Sequence, residues 1–157
     1  MTLALFTISL VFLLIMVLSP QSIRKGKVLS VKDGDTIVIE DRRGDCRIVR
    51  LNGIDAPEMS QDYGKEARNF LSGLCLNENV SFREISKDRY GRTVALVEKD
   101  GKDISEEMLE AGYAWCYYSA GSPSYNQAMK KAQKQKVGLW YEQTPEAPWN
   151  YRKRNGK

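Results

Sequence analysis

Asp35, Asp55 and Glu58 are three carboxylates in a chain that contains no His. Asp35 and Asp55 are each expected at the edge of a β-strand, away from a solvated helix face. Carboxylate oxygens with no imidazole or thiolate beside them are hard donors, suited to Ca²⁺ or Mg²⁺ rather than Zn²⁺. Pro57 fixes its own φ and biases Ala56 towards extended backbone, so the run from Asp55 to Glu58 should hold one shape that directs both acids into one concavity. Arg50, shortly before Asp55, adds a planar donor fork suited to a phosphate. Together these groups read as the parts of a metal-assisted phosphodiesterase site.

Singly, each residue also has a plainer reading. Asp33-Gly34-Asp35 alone is a common hairpin turn, and Asp33 is read mainly as its turn residue. Asp55-Ala56-Pro57-Glu58 alone is an extended loop with solvated acids, Arg50 alone is a surface cation, and Gly91 after Tyr90 is a bulge in a strand. Their joint order carries the functional reading. Asp33-Gly34-Asp35-Thr36, then Arg50-Leu51 through Ile54-Asp55-Ala56-Pro57-Glu58, then Tyr90-Gly91-Arg92 resemble the pattern of the staphylococcal nuclease (thermonuclease) family. The resemblance runs from about Lys27 to Tyr141, and Arg92 supplies a second guanidinium.

That resemblance implies a nuclease acting on DNA, RNA or both and leaving 3′-phosphate ends. It assigns Asp35, Asp55 and the backbone carbonyl of Ala56 to one Ca²⁺, with Mg²⁺ or Mn²⁺ substitution left open. Glu58 would position or deprotonate the attacking water, and Arg50 and Arg92 would neutralise charge on the phosphoryl oxygens. The family often has Thr where this chain has Ala56, so a hydroxyl-mediated contact is lost while the carbonyl ligand survives. Tyr118 is expected to face the nucleotide and Tyr90 to line the pocket. The rival readings are a non-catalytic oligonucleotide-binding module and a membrane-tethered protein-interaction domain.

The elements that must position these groups follow from patterning. β-Branched residues around the Asp33 turn predict two strands, and Cys46 to Leu51 a third that delivers Arg50 and then Asp55. Ala67, Phe70, Leu71 and Leu74 have helical spacing within Tyr63 to Leu76, which Asn77 and Asn79 end. Strands are expected over Val80 to Ile85 and Tyr90 to Val97, then a short helix capped by Asp103 and Glu106. Tyr113, Trp115 and Tyr117 are assigned to a core-facing side of a strand, with Tyr118 on the other. Ser122-Pro123 opens a third helix ending at Gly138, with its Lys130, Lys131, Lys134 and Lys136 solvated. Trp140 is expected to pack on the barrel, by resemblance. The whole is an α+β fold, a five-stranded oligonucleotide-binding barrel (OB-fold) with about three helices.

The 157 residues accommodate one such domain, expected over residues 23–145 and monomeric. Residues 1–22 read as a membrane anchor or signal segment, because Thr2 to Ser19 is uncharged and mostly apolar. A retained anchor with an extracytoplasmic nuclease domain is favoured, although Arg24, Lys25 and Lys27 follow the apolar run and argue for a cytoplasmic flank. Residues 146–157 read as a frayed basic tail, since Arg152, Lys153, Arg154 and Lys157 together match the net charge of +4. Cys46, Cys75 and Cys116 lack metal-ligand spacing and are expected as small buried hydrophobes.

Overall fold

The computed structural model describes residues 22–117 and 122–156. The apolar amino-terminal run and Tyr118 lie outside these residues. Among the described residues, no helix is long and apolar enough to cross a membrane.

Three strands form the expected meander: β1 (Arg24–Val31), β2 (Thr36–Asp41) and β3 (Cys46–Leu51), each antiparallel to the one before. A register shift between Val28 and Ser30 lets Val28 and Val31, three positions apart, both face the core. After the short β4 (Ile54–Asp55), β5 (Asn79–Lys87) returns along the free side of β1, and β6 (Thr93–Lys99) follows antiparallel. Pairing of β6 with β3, in parallel, closes the five-stranded barrel. Closure leaves no free edge on these strands. The two-residue β7 (Lys102–Asp103) turns back to pair antiparallel with the end of β6, and β8 (Trp115–Cys116) pairs with β4. Val28, Ile37, Ile39, Val49 and Val97 are wholly buried in the barrel. Each buried aliphatic side chain contributes roughly 1.5–3 kcal/mol to stability.

Among the described residues, four helices pack around it. In α1 (Gly64–Cys75), the buried Ala67, Leu71 and Cys75 repeat at helical spacing, and Asn77 adopts a left-handed φ of 65° beyond the last turn. α2 (Ile104–Glu110) is capped by Asp103, whose side chain accepts from the amides of Ser105 and Glu106. α3 (Pro123–Gln135) buries Tyr125, Ala128, Met129 and Ala132 and leaves its lysines exposed. A 3₁₀ turn at Gly138–Tyr141 then buries Leu139 and Trp140, the latter against Trp115 at 4.4 Å between rings.

The stretch expected as a frayed tail instead carries the helix α4 (Pro148–Arg154), with Pro148 in its first turn. Trp149 sets its ring 5.5 Å from that of Trp115, fixing the helix to the barrel. Tyr113 and Trp115 pack against the core as expected, but only as partly buried side chains, and the fully buried positions alternating with them are small. Ala114 and Cys116 are buried, whereas Tyr117 is exposed, because pairing of Cys116 with Ile54 turns the small side chains inward. Strand β6 starts at Thr93 instead of Tyr90, since Gly91, at φ 78°, lies in the hairpin turn rather than in a bulge. Cys46 is exposed at the start of β3, unlike the buried Cys75 and Cys116.

Candidate active site

Asp35 enters β2 from the turn after β1, and Asp55 ends β4, so the meander carries both to one end of the barrel. Both are buried, with Asp35 6% and Asp55 1% exposed. Burial of two acids calls for compensating partners. The Arg50 guanidinium supplies them, with NH1 2.6 Å from Asp35 Oδ2 and NH2 3.0 Å from Asp55 Oδ1. Asp35 is held further by the Thr36 hydroxyl, 2.9 Å from Oδ1, and by the Ala56 amide, 3.1 Å from Oδ2. The Leu51 amide also donates to the Asp35 carbonyl, tying the end of β3 to this turn.

Gly34 makes this approach sterically possible. A Cβ there would lie 2.6 Å from the Ala56 side chain and 2.8 Å from that of Ala67. The glycine is required for space, because the turn packs directly on the Asp55-Ala56 segment and on α1. A second close contact shapes the Glu58 loop. A Cβ on Gly64 would strike the Glu58 carbonyl, while the Glu58 amide donates to Gln61 Oε1 at 3.1 Å. Glu58 is therefore presented by a backbone pinned at both ends.

Arg92 approaches from the β5–β6 turn. Asp88 accepts from its Nε at 2.7 Å and its amide at 2.9 Å, and Arg92 NH1 donates to the Thr36 hydroxyl at 3.2 Å. Through Thr36, Arg92 reaches the hydrogen-bond network of Asp35. Tyr90 is exposed on the same turn, with the Arg89 and Arg92 guanidiniums 4.8 and 5.6 Å from its ring centre.

Proton equilibria reflect this crowding. Burial, followed by the charge of Asp35, pushes Asp33 up to about 6. Burial also raises Asp55, against the opposing hydrogen bond from Arg152. For Arg50, burial works against the cation, but the charges of Asp35 and Asp55 outweigh it and raise its pKa. Asp88 is lowered, since its hydrogen bonds from Arg92 and Tyr90 overcome the cost of burial.

The five residues assigned from the chain's motifs fall within one linked network, with Glu58 joining it through a residue that sequence reading placed elsewhere. Arg152, on α4, sets NH2 2.7 Å from Asp55 Oδ2 and NH1 2.9 Å from Glu58 Oε1. Pro148, a helix-opening residue followed by Trp149 and Tyr151, was the available signal that the segment folds back. Asp88, which holds Arg92, was missed because it reads simply as a charged turn residue.

Among the described residues, no group of three or more His, Cys, Asp or Glu forms a metal-binding cluster. The donor chemistry nonetheless fits a hard divalent cation. Asp35 and Asp55 already converge on one cationic group, Arg50, and the Ala56 carbonyl belongs to the same segment as Asp55.

A family model described as staphylococcal nuclease homologue matches residues 48–142. An uncharacterized endonuclease of Escherichia coli O157:H7 is 39% identical over 131 residues, covering 82% of this chain and 85% of that protein. An uncharacterized endonuclease of Haemophilus influenzae is 38% identical over 128 residues, covering 81% of this chain and 72% of its own. The micrococcal nuclease of Shigella flexneri is 36% identical over 141 residues, covering 82% of this chain and 80% of that protein.

Proposed function

The chain belongs to the staphylococcal nuclease family, and from that membership we propose that it is a metal-dependent nuclease using Ca²⁺ to hydrolyse phosphodiesters of DNA, RNA or both. The supporting observation is the convergence of Asp35 and Asp55 on Arg50 beside Glu58 and Arg92. A binding module needs no such set of buried acids, which are costly to desolvate.

Asp35, Asp55 and the Ala56 carbonyl would hold the ion. Bound there, Ca²⁺ supplies Lewis-acid polarisation of a phosphoryl oxygen. Glu58 takes the proton of the attacking water, and its loop keeps the carboxylate beside the buried acids. Arg50 and Arg92 donate to the phosphoryl oxygens as negative charge grows on them. Asp88 keeps the Arg92 fork aimed towards Thr36 and away from solvent. Departure of the 5′ oxygen leaves a 3′-phosphate. Tyr90, exposed beside Arg92, is placed to meet a base or sugar next to the scissile phosphate. Tyr118 retains its proposed nucleotide-facing role by resemblance. Membrane attachment through residues 1–22, an extracytoplasmic setting and a monomeric state complete the proposal.

The test is cleavage of single-stranded DNA, double-stranded DNA and RNA in parallel, with Ca²⁺, Mg²⁺, Mn²⁺ or Zn²⁺ and with chelator. Ca²⁺-dependent cleavage leaving 3′-phosphate ends is expected. Full activity in chelator, or strict dependence on Zn²⁺, would overturn the metal assignment.

A further inference from the structure

We propose that α4 belongs to the active site and that Arg152 is a positioning residue for Glu58, a role that rests on the reading of the site given above. Arg152 lies beyond the span matched by the family model, which ends at residue 142. Its fork bridges two carboxylates assigned to different tasks. NH2 bonds Asp55 Oδ2 at 2.7 Å, while NH1 bonds Glu58 Oε1 at 2.9 Å and Asp55 Oδ1 at 3.2 Å. A bidentate fork fixes both distance and plane between its acceptors. Glu58 is carried by a loop, whereas Asp55 is paired in a sheet, so the bridge ties the loop-borne carboxylate to the sheet-borne one.

The helix is anchored to the barrel and to the Glu58 loop, which distinguishes a built contact from a stray surface pair. Trp149 packs edge-on against Trp115, the register partner of Asp55. Arg154 closes the segment on itself through a two-point contact with Glu146 at 3.1 and 2.8 Å. Between them, the Tyr151 hydroxyl lies 2.9 Å from both the carbonyl and hydroxyl oxygens of Ser60, and Gln61 Nε2 donates to the Glu146 carbonyl at 2.6 Å. Ser60 and Gln61 belong to the same loop as Glu58. The segment that carries Arg152 therefore grips the loop that carries Glu58 at several points, as a positioning element requires and a displaceable plug does not.

Charge balance gives the same answer. Arg50 pairs with both Asp35 and Asp55, but its fork makes no contact with Glu58 among the bonds of the described residues. Arg152 brings a cation to Glu58 without using either guanidinium assigned to the phosphate.

The test compares the full chain with Arg152→Met, Arg152→Lys and Tyr151→Phe at saturating Ca²⁺ and over a range of DNA concentration, with thermal unfolding followed in parallel. Arg152→Met should lower kcat by ~10- to 100-fold, the scale for losing a group that orients an active-site ligand, with KM nearly constant. Lys retains the charge but cannot span both carboxylates, so Arg152→Lys should recover only part of kcat. Tyr151→Phe, which frees the loop without touching either acid, should give a smaller loss of kcat. If Arg152→Met fails to fold, the kcat of Arg152→Lys decides the matter, a value equal to that of the parent chain counting against positioning. Unchanged kcat in a folded Arg152→Met overturns the role of Arg152 alone. Raised kcat makes α4 a plug and overturns it too. A parent chain inactive with every divalent ion defeats the reading of the site and this role with it.

Discussion

Arg50 reaches Asp35 with one arm of its fork, at 2.6 Å, and Asp55 with the other, at 3.0 Å, so one cation compensates both buried acids. A divalent ion entering between these carboxylates must compete with that fork. Arg50→Met should therefore separate two properties. Asp35 loses its cation while Asp55 keeps Arg152, so the metal-free protein should be destabilised by ~3 kcal/mol, while Ca²⁺ should bind more tightly and recover more of the Tm than in the parent chain. Equal Ca²⁺-induced shifts in Tm for both proteins would show that Arg50 and the ion do not share these ligands.

Asp88 accepts from both the side chain and the amide of Arg92 at 2.7 and 2.9 Å, which sets the aim of the second guanidinium. Asp88→Ala should lower kcat by roughly tenfold or more, short of the loss from Arg92→Ala, as expected for a residue acting through another. A kcat for Asp88→Ala equal to the parent's would mean that Arg92 is aimed by other contacts.

Gly34→Ala should damage metal binding more than its size suggests. The new methyl would meet the side chains of Ala56 and Ala67 at 2.6 and 2.8 Å, pushing the Asp33 turn away from the Asp55 segment. Overpacking of this kind costs ~1–3 kcal/mol. Calorimetry of Ca²⁺ binding should show a weaker Kd. An unchanged Kd would indicate that the turn adjusts without moving Asp35.

Thiol chemistry reports the burial pattern independently of activity. Burial pushes the Cys75 thiol up to about 12 and raises Cys116 as well, while Cys46 is exposed. Because only thiolate reacts, the native protein at pH 8 should label rapidly at Cys46, with Cys75 and Cys116 labelling only after unfolding. Rapid labelling of Cys75 in the native state would contradict the packing of α1 on the barrel.

The barrel was legible because its strands carry β-branched residues in runs, from Val28 to Val31 and from Ile37 to Ile39, separated by Gly-containing turns. The site motifs were legible because their order is specific, although no local pattern reveals that Arg50 bridges Asp35 and Asp55. Less visible were contacts made by residues with ordinary surface composition. Arg152 stood among Lys153 and Arg154, and a basic stretch near a chain end looks solvated unless Pro148, Trp149 and Tyr151 are recognised as an anchored helix. The phase of the Tyr113 to Tyr117 segment was read from aromatic content, but pairing with β4 decided it, placing Cys116 opposite Ile54.

Glu58→Gln provides the sharpest comparison, since it keeps the side chain's length and removes its basicity. Single-turnover cleavage of one DNA substrate at saturating Ca²⁺ should fall by ~10² or more, the scale for losing a general base, while Ca²⁺ affinity and Tm stay close to those of the parent chain. A Glu58→Gln protein that binds Ca²⁺ normally and cleaves at the parent rate would contradict the assignment of this cluster as the site of phosphodiester hydrolysis.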